Sequence, residues 1–589
     1  MRYIIILLVI SFIFRFYQLG TVPVSLAHDE IDNVIQAHSF IHTGSDIVGS
    51  WSPWQMLPNS GVMSEWGPLI NTISAKFLPP SLFSAHLSTA ILSTLYPLLI
   101  WLLLQKLGVS RRIASFSALL LALSPWHILF SRTVLEQPSS LFFYTLSWIF
   151  LSNIYQKKPA KYIILNTIYF AVTYAFGFFT YHGYKFSLPF LTIILSAYYS
   201  YRTSPKKIYF LLPFIVVGLL FIHVFINRES YSSRGSEMVF NQSEVATKAV
   251  DLERRQSLAP EWSKKLFSNK MTFIGDQVLE NYLNLYNPET LFLHGEANGV
   301  FSVWKNGYLL IILAPFLIIG AGELIRIWRP TEQILLLLLL ASPLTSVIHI
   351  GDASYSFRSA FSLILLHVIA AYGLSSFIAR ISKSKLWKAI VLPLLFLTSV
   401  LGLGYFCYIY YFLSPVTNAN AYFFGDRLMA NYVRLNQGKR VLVLDPQPRY
   451  SYSQIVLARG RVTAIVIASF KNQFSPAEGD VYETPNLTVA RNCKDLTNLG
   501  EFDTVVVNKN LLPDLALCPA FNEIVAPFAK LKTRSLVSPQ DSGEERRIYG
   551  DTTCDPSILN TYVHPNSLRD FALESMSATD FCAKWVVVQ

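Results

Sequence analysis

Two acids stand side by side, Asp29-Glu30, shortly beyond an apolar stretch that covers residues 3–19. Carboxylates this close to hydrocarbon are costly and usually functional. The pair makes the chain a candidate enzyme working at the outer membrane face. The plainer reading is two solvated acids, or acids marking a helix start before Ile31. Arg132 and Glu136 follow in Phe-Ser-Arg-Thr-Val-Leu-Glu-Gln-Pro (130–138), four apart and so on one face of a helix. Their plain reading is a surface ion pair. His182 and Lys185 stand in Tyr-His-Gly-Tyr-Lys (181–185), and Arg358 closes Gly-Asp-Ala-Ser-Tyr-Ser-Phe-Arg (351–358). A lone cation near a span end is more often a snorkelling anchor. Glu65, in Ser-Glu-Trp-Gly-Pro-Leu (64–69), is a candidate to face the same site; His28 and Glu296 are weaker candidates. Acids plus several cations at one membrane face suit an anionic lipid headgroup and a reacting hydroxyl. A divalent metal held by His28, Asp29, Glu65 or His182 is a further option, but no H-E-x-x-H or comparable ligand spacing supports it.

The elements that must position these residues are apolar. The chain has 589 residues, 52% hydrophobic and 14% charged, against about 25% charged in a soluble domain. Runs of about 17–25 apolar residues, enough to cross a ~30 Å hydrocarbon core, are read at 3–19, 82–105, 113–130, 138–155, 162–180, 185–200, 208–226, 307–325, 333–349, 360–378 and 389–412. Alternate short loops carry Lys106, Arg111 and Arg112; Lys157, Lys158 and Lys161; Arg202, Lys206 and Lys207; Arg326 and Arg329; Arg380, Lys383, Lys385 and Lys388. The positive-inside rule puts these loops and the N-terminus in the cytoplasm. The net charge of +11 is therefore read as topology and not as nucleic-acid binding. Loops 20–80 and 228–305 and everything after residue 413 then lie outside, and the cations His182, Lys185 and Arg358 recur on the side where that rule gives no reason for them. A cleavable signal peptide, with Ser25-Leu26-Ala27 as a weak cleavage site, is disfavoured by Arg15 inside the first apolar run.

After residue 413 the pattern becomes that of a soluble α/β domain. Val441–Leu444, Val462–Ala468 and Thr504–Val507 read as short buried strands, and 452–459 as a helix between two of them. That order favours a small parallel sheet. Cys493, Cys518, Cys554 and Cys582 all fall here, and an even number outside the membrane predicts two disulfides with three possible pairings. Cys407 lies in a span. No G-x-G-x-x-G or P-loop follows a strand, so a nucleotide site has no support. Asn241-Gln242-Ser243 and Asn486-Leu487-Thr488 match glycosylation acceptors.

Taken in order, these motifs resemble the polytopic GT-C glycosyltransferases, specifically the bacterial protein O-mannosyltransferase and lipid A aminoarabinose transferase group. The resemblance rests on Asp29-Glu30 after the first span, Glu65-Trp66-Gly67-Pro68-Leu69, Ser131-Arg132 with Glu136 and Pro138, and the Asn-Tyr…Leu-Phe-x-x-Gly-Glu-x-Asn run at 281–298. It covers residues 1–415. A Pro-Pro doublet of the family appears here as Gly67-Pro68, and no lysine stands beside Glu65. The C-terminal extracytoplasmic α/β domain (414–589) lies outside the resemblance, which implies a membrane module (1–413) of about 11 transmembrane helices in the cell membrane. The resemblance also implies sugar transfer, with inversion, from a polyprenyl-phosphate donor to a hydroxyl of a protein, lipid or glycan. Asp29 and Glu30 would be the catalytic pair, with Asp29 as the base, which needs hydrogen-bond reach of the hydroxyl; Arg132, Lys185, His182 and Arg358 would receive the donor phosphate, and Glu30, Glu136 and Glu65 would orient these cations or the acceptor.

Two other readings compete. A transporter or flippase for lipid-linked glycans would place charges deep within the spans, whereas nearly all charges here sit at span ends. A non-catalytic receptor would leave the outer acids and cations unexplained. His349 and His367 are single, and an acyl-transfer site built on either has no further support.

Overall fold

The computed structural model describes residues 2–588 apart from 50–51, 59–61, 157, 204–206, 232–234, 236–237, 242, 350–354, 461, 464–465, 468–469, 471–480, 497–499, 540–544 and 564. The protein is mostly helical, with a sheet confined to its C-terminal third apart from one short ribbon. Each apolar run read above falls on helix. The first is α1, Arg2–Phe16; later ones include Leu82–Leu107, Glu136–Ile154, Ala160–Thr180, Tyr184–Thr203 and Ala360–Ile381. The run at 113–130 breaks into Arg111–Ala122 and Pro125–Phe130, because Ser124 caps the second piece and Pro125 starts it. Among the described residues, five helices are long and apolar enough to cross a membrane by themselves, and the protein is a membrane protein.

Small residues let these helices approach closely, the common device where lipid supplies no hydrophobic drive. A Cβ on Gly320 would fall 1.9 Å from the Ile369 carbonyl oxygen, and one on Gly373 2.0 Å from that of Phe316. Ser140 donates to the Gly177 carbonyl at 2.7 Å where Glu136–Ile154 meets Ala160–Thr180. Lys385–Tyr408 instead leaves Leu394, Phe396 and Leu401 exposed. Arg15, inside α1, is fully buried but well supplied with partners: it donates to the carbonyls of Ser11 (2.9 Å) and Ala122 (3.2 Å) and contacts His127 Nδ1. Several basic-loop residues meet at one end of the bundle. Arg202 donates to the Leu107 carbonyl at 2.7 Å, Thr331 to the same carbonyl at 3.2 Å, and Lys106 to Asn153 at 2.8 Å.

The long loop after α1 is ordered by α2, His28–Thr43, and by a two-stranded antiparallel ribbon, β1 (Leu57–Pro58) with β2 (Val62–Met63). The C-terminal sheet has seven strands: β3 Val441–Leu444, β4 Tyr482–Thr484, β5 Leu487–Ala490, β6 Thr504–Asn508, β7 Arg534–Val537, β8 Glu545–Tyr549 and β9 Val586–Val588. Their order is β4-β5-β3-β6-β8-β7-β9, with β5, β3 and β6 parallel and every other pairing antiparallel. The expected small parallel sheet is thus only the centre of a mixed one.

The described residues of the run 462–468 form no strand. Residues 464, 465 and 468 lie outside the described set, and Val466 and Ile467 are helical. A short apolar run cannot be assigned by periodicity alone. Here Val462, Ile467 and Phe470 are buried in the core shared with the Pro448–Ala458 helix, and the parallel partner of β3 is Leu487–Ala490. The cysteines pair as Cys493–Cys518 and Cys554–Cys582, leaving Cys407 free. The second glycosylation match opens β5, where Leu487 and Thr488 are buried; the first includes residue 242, outside the described set.

Candidate active site

The site is assembled around the start of the Tyr184–Thr203 helix. Ser64 accepts from the His182 backbone N–H at 2.8 Å and lies 3.3 Å from His182 Nδ1, while the Trp66 N–H donates to the Phe179 carbonyl at 3.0 Å. These bonds dock the Ser64–Pro68 loop onto the turn that carries His182 and Lys185. Lys185 Nζ then meets both carboxylate oxygens of Glu65, at 2.6 and 2.7 Å, and donates to the Tyr231 hydroxyl at 3.1 Å; that hydroxyl in turn bonds Glu65. The ammonium also lies over the rings of Tyr231 (4.5 Å to the centroid), Phe178 (5.1 Å) and Phe179 (5.5 Å), an arrangement in which ring quadrupoles stabilise a cation.

Beside this pair opens a cavity of about 240 Å³. His182, Lys185, Tyr231, His349 and Arg358 line it together with apolar side chains such as Phe221, Val224 and Ile348. Asn281, from the 281–298 motif, holds the segment that carries the lining residues Ile348 and His349 by donating to the carbonyls of Val347 (3.1 Å) and His349 (3.0 Å). Glu296, from the same motif, accepts from the Ser356 backbone N–H at 2.6 Å and so holds the short Tyr355–Arg358 helix. Burial pushes the Glu296 carboxyl up to about 7, with the Ser356 bonds and Arg358 acting the other way.

Three of the four residues expected at the donor phosphate, Lys185, His182 and Arg358, therefore share one cavity. Arg132 does not. Its guanidinium is fully buried and donates to the carbonyls of Arg15 (2.8 Å), Phe14 (3.4 Å) and Val22 (2.6 Å). Carbonyls at a helix C-terminus lack intrahelical partners and attract positive charge; Arg132 fills that role for α1. Glu136 begins its helix and lies against the Glu65 loop: a Cβ on Gly67 would fall 2.5 Å from Glu136 Cγ and 2.9 Å from Oε1. Hence the Gly67-Pro68 sequence, where a side chain at 67 would displace Glu136.

The acid pair divides. Glu30 is fully buried and bonds two backbone N–H groups, those of Ala27 and Val134, each at 2.8 Å. Burial pushes its carboxyl up to about 7, the two N–H bonds acting the other way. These bonds tie the start of α2 to the 131–136 turn. Asp29 is the sole exposed residue between Val22 and Ser39, all of them described. It makes no described contact with Lys185, His182 or Arg358.

His28, a weaker candidate by sequence, faces the C-terminal domain. Its ring stacks between Phe423 (3.4 Å between centroids) and Tyr450 (3.8 Å), and its Nε2 lies 3.5 Å from Asp426. Asp426 also pairs with Arg546, which lies 3.3 Å from Asp445. Burial pushes the Asp426 carboxyl up, and Arg546 and His28 more than offset this, holding it below the ordinary carboxylate range. Among the described residues no three of His, Cys, Asp or Glu converge as metal ligands. Sequence reasoning missed Tyr231 and the Asp426–Arg546–Asp445 network. With 31 tyrosines in the chain, no local signal separates Tyr231 from the rest.

Comparison with known proteins agrees with the resemblance read from the sequence. The family model of dolichyl-phosphate-mannose-protein mannosyltransferase matches residues 5–180, under a third of the chain. No curated protein sequence matches. Among solved structures, the Archaeoglobus fulgidus oligosaccharyltransferase tethered with an acceptor peptide is similar at a TM-score of 0.46 and 12% identity, over 79% of this chain and 64% of that one. This chain therefore spans under two thirds of that relative's length. AglB of the same organism, with an inhibitory peptide and a dolichol-phosphate, gives 0.45 and 11% over 92% and 73%. ArnT from Cupriavidus metallidurans bound to undecaprenyl phosphate gives 0.47 and 10% over 93% and 97%.

Proposed function

We propose that this protein is an integral-membrane glycosyltransferase that moves a sugar from a polyprenyl-phosphate donor to a hydroxyl acceptor at the outer membrane face. The observation that carries the reading is the cavity in which Lys185, His182 and Arg358 stand over a largely apolar lining. Such a site suits a phosphate whose tail stays in lipid. The basic loops that meet at the opposite end of the bundle are cytoplasmic by the positive-inside rule, which puts the cavity, Asp29 and the C-terminal domain outside.

In the reaction the acceptor O–H gives its proton to Asp29 as its oxygen bonds the anomeric carbon. The bond from that carbon to the phosphate oxygen breaks on the opposite face, so the centre inverts. Polyprenyl phosphate leaves with an added negative charge, which Lys185 and Arg358 stabilise as preorganised cations in a low-dielectric site. Glu65 and Tyr231 hold Lys185 in place, and His182 completes the rim. A mannose donor is the first to try, because the family model matched at 5–180 is that of dolichyl-phosphate-mannose-dependent enzymes. Nothing in the geometry favours the transporter reading.

The test is release of free polyprenyl phosphate by the purified protein offered a panel of polyprenyl-phosphate sugars, with Asp29→Asn alongside. Consumption of one donor, lost in a folded Asp29→Asn protein by about 10²–10⁴-fold as for other general bases, supports the reading and names the sugar. Undiminished turnover in the variant moves the base elsewhere. No consumption of any donor with any acceptor extract overturns the reading.

A further inference from the structure

In open α/β sheets, ligands bind at the carboxyl ends of the parallel strands, where the strand order reverses. Here that point lies between β3 and β6: the chain leaves β3 toward β5 on one side and returns to β6 on the other. Asp445, just past β3, and Asn508, ending β6, meet there at 3.1 Å. Tyr450, from the start of the Pro448–Ala458 helix, and Arg546 join them, and the group that enters the crevice is the chain's own His28.

We propose that the C-terminal domain is the positioning frame of the Asp29 turn, with His28 as the residue through which it acts; this rests on the reading of Asp29 as the base. Three further bonds grip the same segment. Arg427 donates to the Val24 carbonyl, Gln454 to the Leu26 carbonyl at 3.3 Å, and Arg449 pairs with Asp32 at 3.0 Å. From the membrane side, Arg132 holds Val22 and Glu30 holds Val134. The run from Val22 to Ser39 is thus fixed on both sides, and Asp29 alone among these described residues is exposed. Phe423, which stacks on His28, has a φ of 51°. A bulky residue rarely takes that left-handed conformation, and such strain persists where the surroundings over-determine it, often at functional sites. The strained turn serves to bring the Phe423 ring flat against His28.

The experiment compares His28→Ala, His28→Phe, Tyr450→Ala and Asp29→Asn in the full-length protein, reading kcat and donor KM separately. A turn displaced by about 1 Å costs on the order of 100-fold in rate. His28→Ala and Tyr450→Ala should therefore lower kcat by about 10–100-fold and leave donor KM within about two-fold, because the donor cavity is built elsewhere. His28→Phe, which keeps the stack, should recover most of kcat. An unchanged donor KM also reports an intact fold. If His28→Ala and Tyr450→Ala turn over like wild type while Asp29→Asn is inactive, the positioning role is overturned and the transferase reading stands. If Asp29→Asn turns over like wild type, the base assignment fails and the positioning role falls with it.

Discussion

Lys185 places its ammonium 2.6 and 2.7 Å from the two carboxylate oxygens of Glu65, a residue 120 positions earlier in the chain. Glu65 is fully buried and Lys185 is only 8% exposed. A buried ion pair is weak evidence of stability, because an apolar pair often does as well; the cavity beside this one gives it a use. Removing one partner leaves a buried charge uncompensated, at about 3–5 kcal/mol. Lys185→Met alone should therefore lower the melting temperature, and Lys185→Met with Glu65→Leu should recover much of it. Neither protein should transfer sugar. A double variant as active as wild type would remove Lys185 from the phosphate site.

Arg132 and Arg358 should part company when each is changed to Met. Arg132 is spent on backbone carbonyls at the end of α1, whereas Arg358 lines the cavity. Arg132→Met should unfold at a lower temperature, having lost about 1–3 kcal/mol of stability to orphaned buried acceptors, with donor KM little changed. Arg358→Met should raise donor KM or lower kcat with a smaller loss of stability. Thermal melts and donor titrations of both proteins decide this; a raised donor KM in Arg132→Met would return that residue to the phosphate site.

Glu30 predicts a pH dependence. Burial lifts its carboxyl from 4.5 to about 7, so the folded protein prefers the protonated form. Its contribution to stability is fully present below pH 4.5 and is lost as pH rises through 7, with a slope of at most about 1.4 kcal/mol per pH unit. Measured against Glu30→Gln, which cannot ionise, wild type should lose ground between pH 5 and pH 8. A constant difference between their melting temperatures across that range would show that the two backbone N–H bonds fully offset the burial.

Gly67→Ala should impair transfer through Glu136. The added Cβ would fall 2.5 Å from Glu136 Cγ, so the carboxylate has to move away from the Glu65 loop. The expected result is a loss of kcat of about 10-fold or more, since small misplacements at a site are costly. Gly67→Ala combined with Glu136→Ala should be no worse than Glu136→Ala alone. Additive losses in the double variant would show that the two positions act independently.

Much of this was legible because it is written locally. Apolar runs long enough to cross a membrane place the helices within a few residues, for instance 160–180 and 360–381, because helix length and hydrophobicity are properties of a continuous segment. The strands Val441–Leu444 and Thr504–Asn508 were legible for the same reason. Lys185, His182 and Arg358 stood out for another reason, as cations away from the loops that the positive-inside rule makes basic, and the structure brings the three to one cavity.

Contacts between distant segments settled the rest. Local pattern marks Asp29 and Glu30 alike, yet one is exposed and the other is buried against Val134. Arg132 and Arg358 carry the same charge at similar span ends, but the carbonyls ending α1 claim the first. The two disulfides are one of three pairings, and β3 takes Leu487–Ala490 in place of the more strand-like run at 462–468. Composition and local pattern picked out the residues that could bear chemistry and the apolar segments that fold as helices. Which of those side chains reach the cavity was decided by long-range packing and by the need to satisfy every buried donor and acceptor, neither of which a local pattern encodes.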